Sequence, residues 1–187
     1  KLLGKDIRLP GTSAADAADA MTQLAKGGLS VDQAMSAARG TLQLSAAAQI
    51  DNASAATIVA DALNSFGLKG RSAGKVADLL AASANASTAE ITDMAQSLQQ
   101  TGAVAKMANV PIEDTVTALS MMANAGIKGS DAGTSLKTML MRLQAPIGTG
   151  AKAIRDYNIQ LRDQSGNLKS LPALADEFRT KLGGLGK

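Results

Sequence analysis

Gly67-Leu68-Lys69-Gly70-Arg71-Ser72-Ala73-Gly74 and Gly126-Ile127-Lys128-Gly129-Ser130-Asp131-Ala132-Gly133 are two versions of one turn. Each follows a run with helical periodicity and opens another. The first Gly suits the left-handed residue that closes a helix. The apolar residue after it can plug the end of a hairpin, and Ser72 or Ser130 can cap the next helix. A short turn of this kind sets two helices side by side, so the chain reads as sequential antiparallel helical hairpins. A duplicated αα-hairpin and convergence on a good turn both account for the echo.

Working outward, the flanks of both turns carry apolar stripes at spacings of three and four. Ala55, Ile58, Val59, Ala62, Leu63 and Phe66 precede the first turn, and Val76, Ala77 and Leu80 follow it. Ile112, Val116, Leu119 and Ala123 precede the second; Ala132, Leu136, Met139, Leu140 and Leu143 follow. Between them Ile91, Ala95, Leu98, Gly102 and Ala105 trace a seam, in which Gly102 and Ala105 are thin enough to admit a partner helix. Ser30 with Gln33 and Ser87 with Glu90 read as capping boxes, hydroxyl on one end and returning side chain on the other. Pro111 suits a first helical position. Gly28, Gly40, Gly67 and Gly126 each follow a periodic run and predict a helix end, and Pro146 stops the Leu136 helix.

These boundaries predict a mostly α chain of about eight helices. Ile159, Leu161 and Leu168, around Arg162-Asp163-Gln164-Ser165-Gly166-Asn167, predict a small β-hairpin. A last helix runs from about Leu171 to Leu182, and Gly183-Gly184-Leu185-Gly186 reads as a linker. Residues 1–157 are therefore expected to form a helical core module, with the hairpin and terminal helix of 158–187 packed on the same domain. Because the first residue is Lys1, the chain is expected to be a piece of something longer.

Composition narrows what such a chain can do. Apolar residues make up 45% of the 187, yet aromatics only 2%, with Phe66, Tyr157 and Phe178 the whole set. Alanine supplies about a fifth. At about 25 cal/mol per Å² of buried apolar surface, a core of thin side chains gains little per residue, and marginal stability is expected. Cys and His are both absent, which removes thiolate and imidazole ligands, disulfides and the commonest general base. The net charge of +3 is scattered singly, unlike a nucleic-acid surface. There is neither a run of about 18 apolar residues nor a signal-peptide layout.

The remaining candidates for chemistry have plainer readings. Asp16 with Asp19, Glu90 with Asp93, and Glu113 with Asp114 fall in predicted first turns, where acids complement the helix dipole. Gly70-Arg71-Ser72-Ala73-Gly74-Lys75-Val76 has three residues between its glycines where a phosphate loop needs four, and Val76 where it needs a hydroxyl. Asp163, Ser165 and Asn167 alternate like a calcium loop, but Gly166 comes too early and Leu174 stands where the bidentate Glu belongs. Lys75, Asp78, Lys137 and Arg142 are too few for a recognition helix. Met121, Met122, Met139 and Met141 suit gap-filling in an irregular core, or an adaptable partner surface. No catalytic, cofactor-binding or metal-ligating residue is assigned.

The run from Met122 through Gly126-Ile127-Lys128-Gly129-Ser130-Asp131-Ala132-Gly133-Thr134-Ser135-Leu136 to Met139-Leu140-Met141-Arg142-Leu143 closely resembles the core region of phage tail tape measure proteins. Phe66-Gly67-Leu68 with Val76-Ala77-Asp78-Leu79-Leu80-Ala81 resembles it too. So do Gly11-Thr12-Ser13 leading to Leu24-Ala25-Lys26-Gly27-Gly28-Leu29-Ser30, and Asp163-Gln164-Ser165-Gly166-Asn167-Leu168. The blocks keep the family's order and span nearly the whole chain. The resemblance implies a structural virion part, not an enzyme. Such a part sets tail length, occupies the tail lumen or distal tip, and is released on genome ejection. It implies a homo-oligomer of several bundled copies that touches the tail tube protein and the distal tail or tip proteins, with no cofactor and no specific nucleic-acid site. A membrane-active helical module, part of a conduit through the host envelope, is the alternative expectation.

Overall fold

A computed structural model of the chain describes residues 13–183. Among them lie nine α-helices: α1 (Ala14–Lys26), α2 (Val31–Ala48), α3 (Asn52–Phe66), α4 (Ala73–Ala86), α5 (Ile91–Met107), α6 (Ile112–Asn124), α7 (Gly129–Gln144), α8 (Gly148–Asp156) and α9 (Leu171–Leu182). A 3-10 turn at Gly70–Ser72 leads into α4. The mostly α expectation holds; the helix beyond the expected eight is the short α8. The Gly11-Thr12 start of the resemblance and the Gly184-Leu185-Gly186 linker reading lie outside the described residues.

Six helices stop in the same way. A residue at positive φ is followed by an apolar residue whose N–H reaches five positions back to a last-turn carbonyl, the Schellman arrangement. The pairs are Gly28-Leu29, Gln49-Ile50, Gly67-Leu68, Asn109-Val110, Gly126-Ile127 and Asn158-Ile159. Leu68 N–H, for example, donates to Leu63 O at 2.7 Å, and Val110 N–H to Ala105 O at 2.8 Å. The apolar residue after the cap is buried at Leu29, Val110 and Ile159, so these three stops also pin the chain to the core, whereas Ile127 is exposed. Gly40 does not follow this pattern. It lies inside α2, buried, and a Cβ there would overlap the Ala73-Gly74 backbone of α4. It permits a close crossing and ends nothing.

At the other helix ends, the Ser30–Gln33 capping box is present. The Ser87–Glu90 box is not. α5 begins at Ile91 with Glu90 at the cap, and the Asp93 carboxylate accepts the Glu90 N–H at 3.1 Å. The Ser87 hydroxyl instead donates to Ser83 O at 2.8 Å, closing the end of α4. Pro111 stands one residue earlier than expected, at the cap of α6.

The helices repeat. α5 begins 60 residues after α2 (Val31, Ile91), and α6 begins 60 after α3 (Asn52, Ile112). α9 begins 59 after α6 (Ile112, Leu171), and Gly129 at the head of α7 stands 59 after Gly70 at the 3-10 turn before α4. Burial follows the same period: Ala37 with Ser97, Ala38 with Leu98, Thr41 with Thr101, Ala56 with Val116, Val59 with Leu119, and Leu63 with Ala123 are all buried. A good turn arrived at twice would not align burial across flanking helices, so the echo belongs to a duplicated unit. The chain stacks three units, α1–α3, α4–α6 and α7–α9. The second helix of each of the first two packs on the first helix of the next: α2 on α4, and α5 on α7.

Those two crossings are close because glycines and hydroxyls line them. Gly70 lies against the Gln33 backbone, and a Cβ on Gly133 would overlap the Ser97 backbone. On α5, the Ser97 hydroxyl donates to Gly129 O at 2.6 Å and the Thr101 hydroxyl to Gly133 O at 2.7 Å. Both hydroxyls are thereby satisfied in a buried seam, which offsets the cost of burying them. Gly102 faces Ser65 and Phe66 of α3 as its place on the seam predicts. The core is thin throughout. Its fully buried large side chains are aliphatic or Thr, led by Leu24, Leu44, Leu63, Leu80 and Met94, with no aromatic among them.

The expected β-hairpin is not formed. Among the described residues there is no strand, only an isolated antiparallel bridge between Arg162 and Leu168. The physical reason lies in Asp163 and Ser170. The Asp163 carboxylate accepts the Ser165 and Asn167 N–H groups at 2.9 and 3.0 Å, winding the loop on itself. Ser170 then caps α9, so extended chain ends at once. The apolar alternation that suggested strands is instead burial of Ile159, Leu161 and Leu168 in the main core, together with Leu174.

Candidate interaction surface

The third unit is built more loosely than the other two. α8 contains no buried residue, and α9 only one, Leu174. Ile154 of α8 and Leu171, Phe178 and Leu182 of α9 rest half-buried on the core, and polar ties hold α9 and the loop before it. The Arg162 guanidinium donates to Gly166 O at 2.8 Å and to Gln144 O at 2.9 Å, tying the loop to the end of α7. Glu177 on α9 accepts the Gln160 N–H at 3.1 Å and pairs with Lys169 at 2.9 Å. The Lys169 ammonium and that N–H hold the Glu177 carboxyl below the usual range.

Between α7, α8 and α9 this leaves an open groove of about 840 Å³. Met139, Leu143, Ile147, Ile154, Phe178 and Leu182 give it an apolar lining, and Thr134, Thr138 and Arg142 a polar rim. Ile147 is 80% exposed and Met139 41%. Contiguous exposed apolar surface with a polar rim marks sites of association. A smaller groove between α3 and α5 runs past Asp61, whose carboxyl is pushed up by burial.

The residues singled out in the sequence fall as follows. Met122 is half-buried and packs on the core, whereas Met121, Met139 and Met141 are on the surface. Those three therefore fill no gap in the core; the fully buried Met is Met94. Asp16 is in the first turn of α1, where the Ser13 hydroxyl and N–H lower its pKa. Asp19 sits a turn later and accepts from Gln23 at 3.3 Å, so this pair does not act together at the cap. Glu113 and Asp114 are in the first turn of α6, and Glu113 pairs with Lys75 of α4, which holds its carboxyl below the usual range. Lys75 is thus engaged in packing two helices.

Gly70–Ser72 is a 3-10 turn against α2, and the Asp163 oxygen Oδ1 is turned to its own loop. Among the described residues no group of three or more acids is placed to hold a metal, and no helix is long and apolar enough to cross a membrane. Sequence reasoning missed the groove itself. Its signal was present in Ile147 beside Pro146, followed by Gly148 and Gly150, which leaves a helix too short to cover its neighbours.

The chain as a whole, residues 1–187, matches the family described as phage-related minor tail protein. It is 35% identical over 173 residues to the tape measure protein of Pneumococcus phage Dp-1, covering 92% of this chain and 15% of that protein. It is 30% identical over 167 residues to the probable tape measure protein of Escherichia phage P2, covering 89% of this chain and 20% of that one. It therefore spans a fifth or less of the length of the curated relatives it matches. No solved structure matches it. With the turn motifs, the helical units and these relatives in agreement, the chain belongs to the phage minor tail, or tape measure, protein family.

Proposed function

We propose that this chain is a folded module of a tape measure protein that helps set tail length. It occupies the tail lumen or the distal tip in several bundled copies against the tube and tip proteins, and is released when the genome is ejected. The observation that carries the reading is the 35% identity to a named tape measure protein across 92% of the chain. The fold supports it: helices that meet through Gly, Ala, Ser and Thr bury little surface per residue, so a modest force or a lost partner can undo them. The exposed apolar side chains of the third unit suit contact with other chains in the assembled tail.

Cryo-EM of assembled tails, with the full-length protein tagged beside this module, tests the placement. Density for the tag within the tube or at the distal tip is expected. A tag on the outer surface of the tail would overturn the reading. Chemical denaturation tests the second part: the isolated chain should unfold in mild denaturant, and survival as a monomer under harsh conditions would remove the argument from easily lost packing.

A further inference from the structure

α8 stands apart from the other helices. None of its residues is buried, and among the described residues no other helix lies packed along it. Of its side chains, Ile154 rests half-buried on the core. Lys152 pairs with Asp156 of the same helix, so that ion pair ties α8 only to itself. Its nine residues fall below the ~12–15 at which even a helix-favouring sequence becomes marginally stable alone. Left-handed backbone stands at both ends, Gly148 at φ 59° and Asn158 at φ 49°. The chain on either side is fixed. Before α8, Leu136 and Leu140 bury α7 in the core, and the hydroxyls of Ser97 and Thr101 bind its backbone. After it, Ile159, Leu161 and Leu168 are buried. Arg162 joins the two banks, donating to Gln144 O at 2.9 Å and to Gly166 O at 2.8 Å. Gln144 O belongs to the last turn of α7, where a carbonyl has no partner within its own helix.

We propose that α8 is a flap that opens and closes as a unit on the folded body, and that Arg162 is the clamp that stops the opening from spreading into the loop and α9. The ground is the difference in what each movement exposes. Opening α8 gives up the contact of Ile154 and a few helical hydrogen bonds. Opening the loop and α9 also gives up the burial of Ile159, Leu161, Leu168 and Leu174. Local openings of such unequal cost separate into distinct units. Because the chain before and after the excursion is joined at Arg162, α8 can leave without drawing the following residues out of the core. Thr149, Gly150, Ala153 and Ile154 form one wall of the groove, and α7 the facing one. The flap moves the first wall while α5 holds the second, so the width of the groove is adjustable within the folded molecule. The flap is a property of the fold itself and stands whether or not the tail placement holds.

Residue-resolved amide hydrogen exchange of the 187-residue chain, followed by NMR, tests both parts. Amides in the last turn of α8 and just beyond it, Tyr157 and Ile159, whose partners are Ala153 O and Ile154 O, should be protected by less than about 100-fold. Core amides of α5 should reach about 10,000-fold or more, the scale of global unfolding. Dilute urea should leave the α8 rates level, because a local opening exposes little surface, while the α5 rates climb. The clamp is read at the Lys169 N–H, which donates to Leu161 O at 2.9 Å behind it. Arg162→Ala should lower protection there by about 10-fold, the loss of roughly one charge-assisted hydrogen bond, with α5 unchanged. Lys152→Ala, which removes the pair inside α8, should leave Lys169 as it was. Three results would each overturn the proposal: α8 amides protected as well as those of α5, α8 and α5 rates rising together in urea, or Lys169 protection indifferent to Arg162→Ala. The first two are read on the unaltered chain and need no variant to fold.

Discussion

Glycine has opposite uses in the two halves of this molecule. In α2, α5 and α7 it marks contact: Gly40, Gly102 and Gly133 each stand where a side chain would strike a neighbouring helix. In α8, Gly150 stands in open space. The helices from α2 to α7 meet through close backbone crossings, whereas α8 and α9 border an open groove. A thin core thus gives two outcomes, depending on whether the small residue has something to touch.

The sharpest way to break this contrast is a single methyl group. Gly40→Ala should destabilise by about 3 kcal/mol, since the overlap is with backbone that cannot rotate away. For a chain of this size that lowers Tm by about 6–12 °C, read by calorimetry. The same change at Gly150 should stabilise by about 0.5–1 kcal/mol, because it restricts the unfolded chain and improves helix propensity without a clash. Equal shifts at both positions would erase the distinction between the halves.

Next in size are the hydroxyls of the α5–α7 seam. Thr101→Val keeps the shape but removes the second, side-chain donor to Gly133 O, costing about 1 kcal/mol. Thr138→Val, on the exposed side of α7, should change stability by less than about 0.5 kcal/mol. Urea unfolding of both variants would decide whether the seam hydroxyls stabilise or merely fit.

Smaller still are the helix stops at which a side chain occupies a left-handed residue. Gln49→Gly and Asn158→Gly relieve φ of 54° and 49°, and each should raise stability by about 0.5 kcal/mol once the extra freedom of Gly in the unfolded chain is subtracted. The mildest effect is electrostatic. Asp16, Asp51, Glu113 and Glu177 are held below their usual range by Ser13, Ser54, Lys75 and Lys169. Folding therefore favours their charged forms, a contribution present in full above the ordinary carboxylate range and lost as pH falls through the lowered values. Tm should be level at neutral pH and decline below about pH 4. Asp61, raised by burial, works in the opposite sense, so Asp61→Asn should stabilise the fold at pH 7.

Much of the helical plan was legible because periodicity and glycine stops are local. Three of six stops were missed: Asn109 and Asn158 carried a signal, since Asn is enriched at positive φ, but Gln49 carried none. Gly40 was misread because a glycine inside a helix looks the same in sequence as one just past its end. Only the facing backbone of Ala73 and Gly74 separates the two cases. Gln, Asp and Ser residues around 160–170 alternate with apolar ones as in a hairpin, yet the Asp163 carboxylate took the N–H groups that a ladder needs. The 60-residue unit was visible at its turns alone, for Ala38 and Leu98 or Ala56 and Val116 share burial and little else. The groove escaped periodicity, which reports only helix that is there; its signal lay in the breakers Pro146, Gly148 and Gly150 that shorten α8.

A stack of units joined neighbour to neighbour behaves mechanically as links in series. Among the described residues, the first and third units share no substantial contact, so tension along the chain need not be borne by the whole fold at once. Each link that yields frees a tether of some 60 residues, about 200 Å of extended polypeptide at ~3.4 Å per residue. Drawn from one end, this chain would lengthen in a few large steps, with α8 and α9, which bury least, peeling away before the α5–α7 crossing parts.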